Sequence, residues 1–278
     1  MIKIIANEND KNRKLYKVVQ KNANNLPTSK IEKIFRLKDV KVNGKKTNDK
    51  HYEVQPGDEI LVYGVENAHI EKKVQKTNVT FKKVFENDDI LIVDKKPGIA
   101  MVGEENCLNN QVLTYLKYEK QSAFMPDSIG RLDKVTSGLV IYAKNYPTLV
   151  ELKAKHNDFV KTYQFISDFD GDEIITVRLK KDIENQKMTV DKDNKFGTKA
   201  TTHFFVQQGK KFATLKTGKK HQIRATLEYM GYPILGDVKY GGTKHHRVFL
   251  HSYSVTLRNL DKQWEYLNDQ EFVSYPKW

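Results

Sequence analysis

The spacing of apolar and polar positions divides the chain into a short, helix-led first stretch and a longer one dominated by strands. Leu15, Val18 and Val19 recur at helical spacing and mark the apolar face of one helix. Ser29 is a candidate cap for a second, with Ile31, Ile34, Phe35 and Leu37 facing inward and Lys30, Lys33, Arg36 and Lys38 outward. Val40-Lys41-Val42 then reads as a strand, Asn43-Gly44 as a hairpin turn, Pro56-Gly57-Asp58 as another turn, and residues 60–63 as an apolar strand. Residues 64–80 are polar, mixed in charge and without period, which predicts a linker.

From Phe81 onward strand patterns fall at 90–93, 139–143, 160–166, 173–177, 201–207, 212–215 and 248–257. Helical patterns occupy 147–155, where Pro147 suits the first turn, and 219–230, which Gly231 would stop. Many strands with few crossover helices predict an α+β domain built on a mixed, largely antiparallel sheet, preceded by a small α+β unit. The expected division is 1–63, a linker at 64–80, and 81–278.

Composition narrows the class. The chain has 278 residues and no apolar run near the roughly 18 residues of a membrane-spanning helix. Its first ten residues turn polar too soon for a secretory signal, and one cysteine, Cys107, can neither close an internal disulfide nor build a cysteine zinc site. A soluble, cytoplasmic, monomeric protein is expected, with no membrane association. Charge adds a partner: 48 Lys and Arg against 35 Asp and Glu leave a net +13, which favours an anionic ligand such as nucleic acid. Forty-one of those cations are lysines. The seven arginines, at 13, 36, 131, 178, 224, 247 and 258, therefore point to places that need a planar, multi-donor group.

Three motifs carry chemistry. Gly130-Arg131-Leu132-Asp133-Lys134-Val135-Thr136-Ser137-Gly138 sets Asp133 on a loop just ahead of a buried strand, held by a rigid element yet able to face a cleft. In Thr217-Gly218-Lys219-Lys220-His221-Gln222-Ile223-Arg224, Thr217 can cap a helix that carries His221 and Arg224 on one face. Arg224 lies close to the core side, where an arginine wants a carboxylate, and Asp133 is the candidate. Lys161-Thr162-Tyr163 sets Tyr163 on a strand, on the same side as Lys161 and Phe165. Lys96-Pro97 closes the strand at 90–93.

Together these motifs resemble the RluA-type branch of the pseudouridine synthases, including its RluC- and RluD-like members. R-L-D-x-x-T-S-G-L, K-x-Y, T-G-x-x-H-Q-I-R and G-D-x-x-Y-G (Gly236, Asp237, Tyr240, Gly241) occur in the family's order, and Leu250-His251-Ser252 is similar to its closing strand. The match covers residues 81–258. Ahead of it, two helices and strands around V-x-V-N-G and P-G-D resemble the S4 RNA-binding domain over residues 13–63. The resemblance implies isomerisation of uridine to pseudouridine in RNA, ribosomal RNA of the large subunit ahead of transfer RNA, with no cofactor and no metal. It makes Asp133 the residue that starts cleavage of the glycosidic bond, Tyr163 the base-packing tyrosine and candidate for removing the C5 proton, and Arg224 the partner of the aspartate. Arg131 would take the place of the extruded nucleotide, because reaching a stacked base requires flipping it out. Lys96, Leu215, His221 and Gln222 would line the substrate site, and Arg13, Lys14, Lys17, Lys30, Lys33 and Arg36 would face RNA from the first unit. The chain departs from the family at Gly130, Lys219 and Thr226, and around Gly98 and Gly103, which leaves the target uridine open. The competing readings are a non-catalytic RNA-binding or ribosome-assembly protein that keeps the fold, and an N-glycosidase that releases the base.

Overall fold

A computed structural model of the chain describes residues 1–23, 26–65, 77–119, 122–193 and 195–278. The first unit contains β1 (Ile2–Ile5), α1 (Leu15–Asn22), α2 (Thr28–Arg36), β2 (Val40–Val42), β3 (Lys45–Thr47) and β4 (Glu59–Val62). Its four strands pair antiparallel in the order β1-β4-β2-β3. Alternation sets the faces: Ile2, Ile4, Val40, Val42, Ile60 and Val62 point inward against Leu15, Val18, Val19, Ile31, Ile34 and Phe35 of the helices. Asn43 and Gly44, both at positive φ, turn β2 into β3 as the N-G dipeptide predicts. In the second turn, the Asp58 carboxylate accepts from the Asn43 amide, the Tyr52 hydroxyl and the Gln55 N–H, tying both turns together.

Two details differ from the sequence reading. α2 starts at Thr28, straight after Pro27, so Ser29 lies in its first turn and does not cap it. Leu37 is exposed, because the helix ends at Arg36 and Lys38 takes a left-handed backbone that turns the chain away from the core. Val65 still packs in the first unit's core. Most of the expected linker, residues 66–76, lies outside the described residues, while Thr77 and Thr80 hydrogen-bond to Thr114 and Gln111 of the second unit.

The second unit runs β5 (Lys82–Glu86), β6 (Ile90–Lys95), α3 (Leu108–Tyr115), β7 (Asp127–Ile129), β8 (Ser137–Ala143), α4 (Tyr146–Lys155), β9 (Val160–Phe165), β10 (Asp172–Asp182), β11 (Lys187–Val190), β12 (Thr198–Gln207), β13 (Lys210–Leu215), α5 (Gln222–Tyr229), β14 (Leu250–Thr256) and β15 (Glu271–Val273). Among the described residues these strands form an eleven-stranded mixed sheet in the order β11-β10-β12-β13-β9-β14-β8-β6-β5, with β15 on β14 and β7 on β8. The expected α+β architecture and largely antiparallel sheet are what is seen; the parallel pair is β8 with β14. β8 is buried on both faces, which explains its unbroken apolar run. Leu139, Ile141 and Ala143 face one core, and Val140 and Tyr142 face another shared with Leu108 and Val112 of α3.

At the start of β8 the backbones crowd. A Cβ on Gly138 would sit 2.3 Å from the Ser252 carbonyl oxygen of β14, and its φ is +108°. Only glycine permits that approach, and it brings the loop ahead of β8 against the middle of the sheet. α5 covers the same region through Ile223 and Leu227, which pack on Phe165, Phe204 and Ala213. Burying each such side chain contributes roughly 1.5–3 kcal/mol. No helix among the described residues is long and apolar enough to cross a membrane.

The two units touch. Asn9 accepts the Tyr146 N–H, Asp10 accepts the Ala123 N–H, and Ala123 joins the first unit's core. Arg13 is buried there, its guanidinium 4.3 Å from the centre of the Tyr146 ring. Arg13 therefore does not lie on an RNA-facing surface. Its planar cation stacks between the units, whereas Lys14, Lys17, Lys30, Lys33 and Arg36 are exposed.

Candidate active site

Asp133 sits on the tight loop that feeds β8, closed by the Thr136 N–H donating to the Asp133 carbonyl. The loop is fastened from a second side: the Gly98 N–H and the Lys95 ammonium both donate to the Lys134 carbonyl, at 2.8 and 3.3 Å. Arg224 arrives from α5, 91 residues further along the chain, and its Nη1 donates to Asp133 Oδ2 at 2.9 Å. The expected pair is formed.

The sequence reading missed its other half. Arg224 also grips Asp237 in a fork, Nε to Oδ2 at 2.6 Å and Nη2 to Oδ1 at 2.8 Å. The guanidinium side chain is only 6% exposed and that of Asp237 1%, whereas Asp133 keeps 24%. One arginine thus joins a fully buried carboxylate to one whose outer edge is open. Burial acts to lower the Arg224 pKa, but the two carboxylates overcome it and hold the group above its ordinary value. The signal for Asp237 was present: a buried guanidinium has five donors, more than one carboxylate accepts.

Tyr163 lies on β9 opposite Ser252 of β14, half-buried and packed with Leu215 against the core under α5. Burial pushes its phenol up to about 12; Ser252 moderates this and the negative charge of Asp133 adds to it. The hydroxyl is therefore protonated throughout the physiological range. His221 precedes α5 in a left-handed conformation, φ 54° and ψ 20°, with Nε2 3.6 Å from Asp133 Oδ1 and Nδ1 2.7 Å from the Tyr240 hydroxyl. That backbone delays the helix to Gln222, so Thr217 does not cap it. Thr217 instead accepts the Thr201 N–H and donates to Gln222 Oε1.

Three other expected positions are placed as follows. Gln222 is buried and its amide is saturated by protein, accepting from Thr217 and the Lys219 N–H and donating to the Thr201 carbonyl and the Thr202 hydroxyl. It braces α5 against β12 and has no free group for a ligand. Arg131 is exposed on the loop. Lys96 is exposed, and the buried lysine is its neighbour Lys95, because β6 extends one residue pair further than predicted and alternation turns Lys95 inward.

The Lys95 ammonium donates to the carbonyls of Lys96, Ile99 and Lys134. Burial lowers its pKa to about 8, opposed by Asp133 and Asp94 and assisted by Arg247. The unfolded chain holds this proton up to about 10.5, whereas the folded chain releases it from about 8. Wild-type stability relative to Lys95→Met is accordingly expected to rise between those pH values, by on the order of 1–3 kcal/mol. Urea unfolding of both proteins at pH 7, 9 and 10.5 measures it. A difference independent of pH would show that Lys95 is hydrated in the folded chain.

The geometry is that of a carboxylate paired with a buried guanidinium, open on one edge, beside an aromatic ring. The family described as RNA pseudouridylate synthase matches residues 89–229. An uncharacterized RNA pseudouridine synthase of Mycoplasma capricolum is 31% identical across 100% of this chain and 99% of its own. Ribosomal large subunit pseudouridine synthase C of Buchnera aphidicola is 28% identical, over 91% of this chain and 88% of its own. The structure of human RNA pseudouridylate synthase domain containing 1 shares the fold with a TM-score of 0.56 at 18% identity, over 66% of this chain and 80% of that one.

Proposed function

The chain belongs to the RNA pseudouridylate synthase family, in its RluA-type branch, and we propose that it acts on uridines of large-subunit ribosomal RNA with Asp133 as the group that opens the reaction. The observation that carries the residue assignment is the open-edged Asp133 held by Arg224. Both routes to glycosidic cleavage, attack on C1′ and removal of the C2′ proton, need a carboxylate oxygen, and Asp133 gives one to Arg224 while its outer edge stays open. The N1–C1′ bond breaks with its electrons on N1, the uracil turns within the site, and C5 joins C1′ as Asp133 releases the C1′ bond, or returns the C2′ proton, that it took; C5 then loses its proton to solvent and N1 gains one. Tyr163 meets the base as a neutral phenol, so its contribution is a packing surface that keeps the freed uracil stacked. Arg131, exposed beside this loop, is the cation available to the vacated stack. The ribosomal substrate is supported by the names of the relatives, among them the large-subunit synthase C.

The test of the function is tritium release from ribosomal RNA labelled at uridine C5, because isomerisation expels that hydrogen and mere binding does not. Release with pseudouridine in the digested product is the expected result. Free uracil without pseudouridine would indicate a glycosidase. Tight binding with no release from any ribosomal precursor would favour the non-catalytic reading.

We extend the proposal to the first unit as an S4-like RNA-binding domain. Lys14, Lys17, Lys30, Lys33 and Arg36 are exposed, and a groove beside α2 is lined by Lys33 and Arg36 together with Glu32, which pairs with Lys50. Replacing Lys30, Lys33 and Arg36 together with Gln is expected to flatten the slope of log K against log salt by about 2, the counterions of two to three phosphates. Filter binding across a potassium chloride series measures the slope. An unchanged slope would move the RNA path off this unit.

A further inference from the structure

Tyr240 lies in the G-D-x-x-Y-G segment and is wholly buried. Its ring stands between the guanidinium of Arg224, 4.7 Å from the ring centre, and the ammonium of Lys187 at 5.3 Å. The hydroxyl oxygen accepts the Met188 backbone N–H at 3.0 Å and sits 2.7 Å from Nδ1 of His221. A phenol has one proton to give. With the amide on its acceptor side, that proton points to Nδ1. If Nδ1 carried a hydrogen of its own, the phenolic hydrogen would be left buried without an acceptor, a loss that biases the tautomers by about tenfold. The imidazole proton therefore belongs on Nε2, the nitrogen that faces Oδ1 of Asp133 at 3.6 Å.

The backbone serves the same end. His221 takes the left-handed conformation, as Lys38, Lys117, Gln186 and Gln208 also do among the described residues, at the residue that joins the T-G-K-K loop to α5. That dihedral sets the direction in which the imidazole leaves the backbone just ahead of the first turn of α5. The charged and titratable groups around the ring are Asp133, Arg224, Lys220, Lys239 and Tyr240. Burial, with the three cations assisting and Asp133 opposing, lowers the His221 pKa, so the ring is neutral at neutral pH.

We propose that the Tyr240 hydroxyl locks His221 in the Nε2–H tautomer, and that His221 is thereby a positioning residue that aims a neutral donor at Oδ1 of Asp133. The inference rests on the reading of Asp133 as the reacting group. Arg224 already holds Oδ2, and a second donor that closes on Oδ1 would fix the plane of the carboxylate, which a single bond leaves free to rotate. Neutrality is what makes the second donor useful. Asp133, Arg224 and Asp237 together carry one negative charge, and an imidazolium would cancel it, blunting the carboxylate as nucleophile or base. At 3.6 Å the donor faces Asp133 without yet engaging it, a separation that tightens when substrate fills a site.

The deciding experiment is nitrogen-15 NMR of the full-length protein labelled at histidine, with the His221 signals assigned by the spectrum of His221→Gln. The expected wild-type pattern is a protonated Nε2 and an unprotonated Nδ1. Tyr240→Phe keeps the ring between Arg224 and Lys187 but removes the lock, and is expected to mix the two tautomers. In single-turnover assays Tyr240→Phe should lose about tenfold in rate, the worth of one hydrogen bond, with RNA affinity unchanged. His221→Gln, whose side-chain amide can present N–H where Nε2 stood, should retain about tenfold more rate than His221→Ala at equal RNA affinity. A protonated Nδ1 in the wild type, or a glutamine no better than alanine, overturns the proposal. Asp133→Asn separates the two readings: activity in that variant removes the parent assignment, whereas an inactive Asp133→Asn with the wrong tautomer removes only the lock.

Discussion

Asp133→Asn is expected to lower tritium release by on the order of 10⁴-fold or more, the scale seen when a reacting group is removed from an otherwise intact site. Affinity for ribosomal RNA should stay within about twofold, because the bulk of RNA affinity comes from phosphate contacts elsewhere. The substitution isolates chemistry from structure for a local reason. Asparagine has the same shape, and its carbonyl oxygen can still accept from Arg224 Nη1. The guanidinium meanwhile keeps both bonds to Asp237, so no buried charge is orphaned. The thermal midpoint should therefore move by no more than about 2 °C, the equivalent of a fraction of a kcal/mol to 1 kcal/mol in a chain of this size. The measurements are single-turnover release, filter binding and a melting curve on the same two preparations. Residual release within about tenfold of wild type would remove Asp133 from its role and leave the buried triad as an element of structure alone.

The pairing of Asp133 with Arg224 was legible because its ingredients are local: an aspartate on a loop before an apolar strand, and an arginine at helical spacing from an inward-facing stripe. What failed to be legible depended on the third dimension or on a single dihedral angle. Arg13 reads as one more cation at the start of an amphipathic helix, and only the docking of the two units shows that it stacks on Tyr146. Lys95 and Lys96 exchange roles because strand alternation has period two, so a boundary set a pair of residues short hides which lysine turns inward. Thr217 has the chemistry of a cap, yet the left-handed backbone at His221 delays the helix beyond its reach. β5, β7, β11 and β15 escaped the periodic reading because they are short and mostly half-exposed, and sheet pairing is what holds them. Asp237 and Tyr240 stood in a recognised motif without a task until the fold brought them to Arg224 and His221.

The same triad makes Arg224 the residue whose removal should cost the fold most. Arg224→Met leaves Asp237, 1% exposed, with no cation and Asp133 with no partner on Oδ2. Methionine fills the space, so the penalty is electrostatic: stranding a buried charge costs about 3–5 kcal/mol, whereas breaking a surface pair costs about 1 kcal/mol or less. For a chain of this size that corresponds to a fall of roughly 10 °C in the thermal midpoint. Arg224→Lys should recover little, since one ammonium cannot supply the fork to Asp237 and the third bond to Asp133. The informative comparison is the double variant. In Arg224→Met with Asp237→Asn, the most deeply buried carboxylate is neutralised, and the pair should be more stable than Arg224→Met alone by about 1–3 kcal/mol, although Asp237→Asn by itself destabilises the wild type. Urea unfolding of the four proteins closes the cycle. Additive losses would mean that the two residues do not act on each other. A crossover, with the second substitution harmful alone and beneficial in company, would tie the stability of the sheet's centre to the buried fork between Arg224 and Asp237, the same arginine that holds the reacting group.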